Sequence, residues 1–351
     1  MALEVNLFLF AVGARDRASS RLRVWDHVDW LRDRGMTVRI DSLVPVGAKC
    51  LSPALLARVI RRLPGWVVAF LRADAVVLQE SLLLWPLLLV RNLGKRRRVV
   101  FDFSDPVDRH GAGWKGQLRQ WAFSLIVRHA DVVMVENKAY LSLLQGDARA
   151  LLHVYGPVDA ARYARERAAL PVPSRVAVRI GWTGSPGTYR FIAPLMPIID
   201  AIARDYPIEV VLIGSGPIDH IFRHASLTLM DWNEDVEFST VPSFDLGLFR
   251  LENSLDALWR GAGKLFIYIA AGVPFVANDR GIAHDLMAET DVAFRVPYET
   301  DWAAVLTRAV TAADQRHRMV AASLDYAPTL SYDAYRTALM KALVTPRRGQ
   351  A

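Results

Sequence analysis

Short, nearly uninterrupted apolar runs recur through the first half of the chain: Val5–Val12, Thr37–Ile40, Ala75–Gln79, Val99–Phe103, Asp131–Val135 and Leu151–Val154. Strands read this way when helices cover both sheet faces, because neither face then meets water. Between the first two runs lies Arg21–Arg34. Its Val24, Val28 and Leu31 share one helical face, Ser19 or Ser20 can cap it, and Gly35 ends it. Strand then helix, repeated, predicts a doubly wound parallel sheet.

The pattern restarts at Val176–Trp182. It continues with a helix at Pro194–Asp205, strands at Glu209–Ile213 and Phe244–Phe249, a helix at Gly263–Ala271 and a strand at Pro274–Ala277. Residues 156–175, GPVD with a charged stretch and PVPS, read as a linker. The expected architecture is therefore α/β, with two Rossmann-like open-sheet lobes. Residues 1–165 form the first and 175–330 the second; residues 331–351 hold a last helix, Ser331–Leu343, and a frayed tail. A length of 351 residues suits two domains. An apolar fraction of 52% with 23% charged residues excludes intrinsic disorder. The single cysteine, Cys50, excludes an internal disulfide framework and a cysteine-rich zinc site. Leu82–Val90 is too short to span a bilayer and contains Pro86. The N-terminus lacks a basic leader region and reads as a buried strand rather than a signal peptide. A cytoplasmic protein is expected.

In open α/β sheets ligands bind beyond the carboxyl ends of the strands, and four loops are so placed. The loop Gly13–Ser20 carries Arg15 and Arg17, either of which can meet an anion beside backbone N–H groups; the alternative is an ordinary charged loop. Gly181–Tyr189, GWTGSPGTY, places Gly184, Ser185 and Thr188 where a phosphate can approach backbone and hydroxyls; a structural turn is the alternative. Ile213–Pro217, IGSGP, offers Gly214 and Gly216 for close approach. In Trp259–Gly281, Lys264 opens a helix, where a cation is disfavoured unless an anion offsets it. The first lobe adds Val99–Gly111, with Asp102, Asp105 and His110. No second histidine has metal-ligand spacing, so no metal is expected there and a polar site is favoured.

Taken together, ASSRLRVWDHVDWLRDRG, ADVVMV, YGPVD, GWTGSP, LIGSGP, GKLFIYIAAGVPFVA and Gly281 resemble a retaining GT-B glycosyltransferase of the large bacterial lipopolysaccharide and mannosyl-transferase-like family. The similarity runs over about residues 5–340. It implies a nucleotide-sugar-binding C-terminal lobe, an acceptor-binding N-terminal lobe, and a last helix crossing back to the first. It further implies a diphosphate in the interlobe cleft, met by the Gly13 loop, the Gly184/Ser185 turn and Lys264, with Arg17, Thr188, Gly214, Gly216 and Tyr268 also among the donor-binding residues. Lys264 and His110 take the catalytic roles. Transfer needs neither metal nor cofactor, the nucleotide diphosphate sugar being a co-substrate. The family's acidic pair falls at Trp259 and Ile267, neither of which is acidic. The alternative is a degenerate member that binds a nucleotide sugar or a partner without efficient transfer.

Charge is uneven. Residues 1–170 carry 26 Lys/Arg against 16 Asp/Glu; residues 171–351 carry 17 against 20. The basic run Lys95–Arg98 has no interleaved aromatics, so no nucleic-acid partner is expected. Basic residues flank the apolar stretches Leu55–Leu71 and Leu82–Val90. Two acceptors stay open: a lipid-linked one, reached through peripheral contact of the N-terminal lobe with the inner face of the membrane, or a soluble small molecule, with both stretches in the core.

Overall fold

The computed structural model describes residues 5–47, 53–109, 113–171 and 176–344. It contains two compact units. The first comprises the chain to Pro157, the segment Trp259–Gly261 and the chain from Tyr335 onward. The second comprises Val158–Leu258 and Ala262–Ala334.

The first unit is built on β1 (Asn6–Gly13), β2 (Thr37–Val44), β3 (Ala75–Gln79), β4 (Arg98–Phe103), β5 (Val132–Val135) and β6 (Leu151–His153). All pair in parallel, in the order β2-β1-β3-β4-β5-β6. Alternation of side chains gives two cores. Phe8, Phe10, Leu78 and Phe101 point into one, under the helices Pro53–Arg72, Trp85–Leu89 and Gly113–His129. Leu7, Leu9, Val77 and Val100 point into the other, with Val24 and Leu31 and with Tyr335 and Leu339 of the helix Tyr332–Val344. Pro64 lies inside the helix Pro53–Arg72. It is exposed, so water can meet the carbonyl that loses its backbone donor.

The second unit is built on β7 (Val178–Thr183), β8 (Ile208–Ile213), β9 (Ser226–Met230), β10 (Leu246–Phe249), β11 (Phe275–Asn278) and β12 (Ala293–Val296). They pair in parallel in the order β12-β11-β10-β7-β8-β9. Residues 156–175 are not a linker throughout. Asp159 accepts from the Arg162 amide at 2.9 Å and caps the helix Ala160–Ala168, whose Tyr163 is buried in the second unit. β9 escapes the sequence reading because it is a short, half-exposed edge strand whose Leu227, Leu229 and Met230 alternate with Ser226 and Thr228 rather than forming an apolar run.

The return of the last helix to the first unit rests partly on His27. Its ring stacks on Tyr335 at 4.8 Å between centroids. Nε2–H donates to the Leu22 carbonyl at 2.7 Å and Nδ1 accepts from Arg336 Nε at 3.3 Å. Burial, then the Arg336 charge, lower its pKa to about 3; the Leu22 carbonyl opposes this, and the Arg23 charge adds a smaller lowering. The folded form stays neutral where the unfolded form, titrating near 6.5, takes up a proton. Stability is therefore whole above pH 6.5 and is lost as pH falls toward 3. We expect His27→Gln to remove about 2–3 kcal/mol of the loss seen between pH 7 and 4.5 in urea unfolding, since each pH unit carries about 1.4 kcal/mol. Identical pH profiles for both proteins would refute this account of His27.

Candidate functional site

In the second unit β7 connects to β8 on one side, whereas β10, on its other side, connects to β11. The chain reverses direction across the sheet between β7 and β10, which leaves a crevice beyond their carboxyl ends. Gly184 follows β7 there. A Cβ on Gly184 would lie 2.5 Å from the Trp182 ring and 2.8 Å from Lys264 Cε. The lysine stem therefore lies against Gly184, and Lys264 Nζ sits 5.4 Å from the centre of the Trp182 ring. Lys264 belongs to the first turn of the helix Gly263–Ala270, which has no acidic residue in that turn. A cation and a helix N-terminus are thus held together, an arrangement suited to a phosphate.

The neighbouring loop completes this edge. Gly214 has φ +74° and would collide with the Gly184 carbonyl oxygen if it bore a Cβ; Trp232 Cβ would be 2.8 Å away. Gly216, at φ +68°, lies against Pro186. Beneath them the buried Glu237 accepts from Thr183 Oγ1 at 2.7 Å, Trp232 Nε1 at 2.9 Å and Tyr163 Oη at 3.3 Å. This carboxylate ties the end of β7 to the loop after β9, and the sequence reading did not include it.

Three candidates have partners within the second unit. Ser185 and Thr188 bond to each other: the Ser185 amide donates to Thr188 Oγ1 at 3.2 Å, and that hydroxyl donates to the Ser185 carbonyl at 3.0 Å. Their helix is a single turn, Pro186–Tyr189. Tyr268 is fully buried; its ring packs on Gly247 and its hydroxyl donates to the Leu248 carbonyl at 3.2 Å. It is a core residue, because glycine at 247 leaves the space its ring fills. Ile267 is half-buried on the same helix.

In the first unit the corresponding reversal lies between β1 and β3. Gly13 is covered by the Arg17 side chain, for which it leaves room. The Gly13 amide donates to Ser20 Oγ at 3.0 Å and the Ala14 amide to the Val44 carbonyl at 3.0 Å. Those two amides hold the loop itself, and Arg17 lies on it. Asp102 is buried in an ion pair with Arg23. Asp105 accepts from the Gly261 amide at 3.2 Å, beside Trp259, whose ring carries Arg109 at 3.8 Å. His110 lies outside the described residues. Lys95–Arg98 is solvated in part: Lys95 and Arg96 are exposed, with Lys95 paired to Asp74 at 2.6 Å, whereas buried Arg97 donates to the Leu71, Arg91, Leu93 and Lys95 carbonyls.

Glu80 was not legible as a site residue. It follows β3 with φ +53°, the sole positive φ of a non-glycine among the described residues. Its carboxyl accepts from Ser104 Oγ at 2.5 Å and Ser19 Oγ at 3.1 Å. Burial, then Asp105, raise its pKa. The available signal was the polar triplet Gln79–Glu80–Ser81 directly after an apolar strand.

Among the described residues no group of three His, Cys, Asp or Glu side chains is placed to hold a metal ion. Gly216→Ala should cost about 1–2 kcal/mol for its left-handed backbone. Gly214→Ala should cost about 1–3 kcal/mol more, because its new methyl also meets the Gly184 carbonyl. Urea unfolding of the two variants checks this; equal losses would show that these loops do not press on each other.

No protein-family model and no curated protein sequence matches this chain. Solved structures do. Sucrose-phosphate synthase from Thermosynechococcus elongatus is 12% identical with a TM-score of 0.68, over 96% of this chain and 97% of that one. A trehalose-6-phosphate synthase studied for glycosyl transfer with retention is 11% identical with a TM-score of 0.67, over 98% and 100%. Anabaena HepE in complex with UDP-glucose is 14% identical with a TM-score of 0.62, over 97% and 99%. At these identities the likeness establishes the fold: this chain has the GT-B fold, two Rossmann-like parallel sheets with a C-terminal helix that returns to the first.

Proposed function

We propose that this protein is a retaining glycosyltransferase that moves a sugar from a nucleoside-diphosphate sugar to an acceptor hydroxyl, without a metal or other cofactor. The observation that carries the reading is Lys264, packed on Gly184 at the reversal point of the second sheet and placed at a helix N-terminus. Structures of the same fold include one holding UDP-glucose and one studied for transfer with retention, which supports a nucleotide-sugar donor and that stereochemical course.

In this reading the second unit binds the donor and the first binds the acceptor. The bond between sugar C1 and the leaving phosphate oxygen breaks early, so positive charge gathers on the sugar and negative charge on the departing diphosphate. Lys264 and the helix N-terminus at Gly263 stabilise that charge more than they stabilise the intact donor. The acceptor oxygen attacks on the face the diphosphate leaves, and a diphosphate oxygen takes the acceptor's proton. Arg17 supplies a second cation. His110 positions the reacting sugar. A binder without turnover is the second reading, and Ile267 favours it: an apolar side chain there cannot hydrogen-bond a donor hydroxyl.

Lys264→Ala should keep its fold and weaken nucleoside-diphosphate binding about 10–150-fold, the equivalent of about 1.5–3 kcal/mol for a charge-assisted hydrogen bond. Calorimetry with UDP, GDP and ADP in turn reads this; unchanged affinity for the diphosphate that binds wild type would remove Lys264 from the site. His110→Ala should lower turnover while leaving diphosphate affinity nearly intact. Full turnover in that variant would reject its role. Diphosphate binding by wild type with neither transfer nor donor hydrolysis would favour the second reading.

A further inference from the structure

The outer side of one helical layer of the first unit is apolar and basic. The helices Pro53–Arg72, Trp85–Leu89 and Gly113–His129 pack on the same sheet face. Residues 53–72, 85–98 and 113–129 contain twelve Lys/Arg and no Asp/Glu. Acids on other elements neutralise part of this: Asp41 faces Arg58 and Arg62, Asp74 faces Lys95, Asp131 faces Arg91, and Asp147 faces Arg128. Arg61, Arg96, Lys115 and Arg119 remain exposed.

The apolar side chains beside them point outward. In the helix Pro53–Arg72 none of residues 53–65 is buried. Leu56, Ile60 and Leu63, spaced to share one face, are exposed, Ile60 by 65%. In Gly113–His129 the exposed stripe is Trp114, Leu118 and Trp121, at the same spacing, with Trp114 exposed by 70%. Trp121 meets the Trp85 ring at 4.5 Å, and Leu89 is exposed one turn beyond Trp85, so the patch continues onto the second helix. On the opposite helical layer, Ala18–Arg23, Val28–Arg32 and Tyr332–Val344, the sole exposed large hydrophobic among the described residues is Val344. Helices after parallel strands run back along them, so their N-terminal halves lie toward the strand carboxyl ends. Both exposed stripes begin in N-terminal halves and reach no further than the middle of their helices. They therefore flank the edge that carries Glu80 and Asp105.

We infer that this layer docks on an anionic lipid bilayer, with Leu56, Ile60, Leu63, Trp114, Leu118 and Trp121 in the headgroup boundary and the exposed cations on lipid phosphates. Charge selects the occupant. A second copy placed face to face would oppose one basic layer with another. A nucleic acid would match the cations and leave the leucine stripe in water. A bilayer alone satisfies both kinds of side chain. The inference does not rest on the proposed transfer reaction, and its test involves no turnover.

The test is co-sedimentation of the full chain with vesicles of phosphatidylcholine alone or mixed equally with phosphatidylglycerol, at low salt. Binding to the anionic vesicles is expected, with Trp fluorescence quenched by brominated acyl chains. Ile60→Gln/Trp114→Ser should lower vesicle binding about tenfold or more, and Arg61→Gln/Arg119→Gln by a similar factor. All four sites are exposed, and unchanged circular dichroism will show that the variants fold. No binding to anionic vesicles, or binding that the apolar variant leaves unchanged, overturns the inference. Concentration-dependent dimerisation abolished by the apolar variant would assign the face to a second copy instead. Retention on heparin without vesicle binding would assign it to a polyanion.

Discussion

One buried guanidinium organises the first unit. Arg23 donates to Asp102 Oδ2 at 2.9 Å and Oδ1 at 2.5 Å, to Glu136 Oε2 at 3.0 Å and to the Gly156 carbonyl. Tyr335 Oη lies 2.8 Å from both the Arg23 carbonyl and Asp102 Oδ2. Five segments meet there: the helix after β1, the ends of β4 and β5, the Gly156 turn and the C-terminal helix. Burial opposes the charge on Arg23, and Asp102, Tyr335 and Glu136 together more than offset it, so the guanidinium pKa is raised. Burial, then Asp102, raise the Tyr335 phenol, which stays a hydroxyl. Taking such groups out of water costs several kcal/mol per ion, and the arrangement stands because their donors and acceptors are matched. That requirement gives specificity: a helix lacking a hydroxyl at position 335 would leave Asp102 short of a donor. The last helix therefore docks on the first sheet rather than on the unit in which it starts.

The two sheets use their carboxyl edges differently. At the first edge polar side chains pair with one another, while the buried Gln79 Nε2 and Ser81 Oγ have no hydrogen-bond partner among the described residues. Gln79 Oε1 accepts from Ser20 Oγ at 2.9 Å, Glu80 from Ser19 and Ser104, and Asp102 from Arg23. The second edge is lined by glycines at 184, 214 and 216, with Lys264 alongside. Small residues keep side chains off the backbone there, and Glu237 from below fixes Thr183 and Trp232 so that the loops hold their positions. An edge built of glycine and one lysine is suited to an anionic group in close contact with backbone.

Strands were legible because burial on both faces leaves no alternative to an apolar run. β1, β3, β4, β5, β7 and β8 all carry that signature. The grouping of Gly184, Gly214 and Lys264 was legible in part, since each follows or precedes a strand in a fixed order. Long-range partners were not. Nothing local marks Tyr268 as a core residue; the vacancy it fills is made by Gly247, which lies 21 positions earlier in the chain. Glu80 owes its environment to Ser19, on the helix Ala18–Arg23, and to Ser104 and Asp105, on the loop after β4. The helix Ala160–Ala168 read as linker because its charged residues hide the one that packs, Tyr163.

The exposed layer of the first unit also shows why an apolar run is ambiguous by itself. Leu55–Leu71 contains residues of both fates. Trp66, Ala69 and Phe70 close the core over the sheet, while Leu56, Ile60 and Leu63 have no counterpart inside the unit. Spacing alone marks a helix face and cannot say what covers it. The charges decide where burial cannot: a helix that served only the core would gain nothing from the absence of acids on its outer side, and neighbours that pack on the same sheet share that absence. An apolar stripe bounded by cations, repeated on two separate helices of one layer and missing from the opposite layer, is a property of the surface as a whole. The sheet fixes it, because parallel strands send successive helices to chosen faces and bring stripes far apart in sequence side by side.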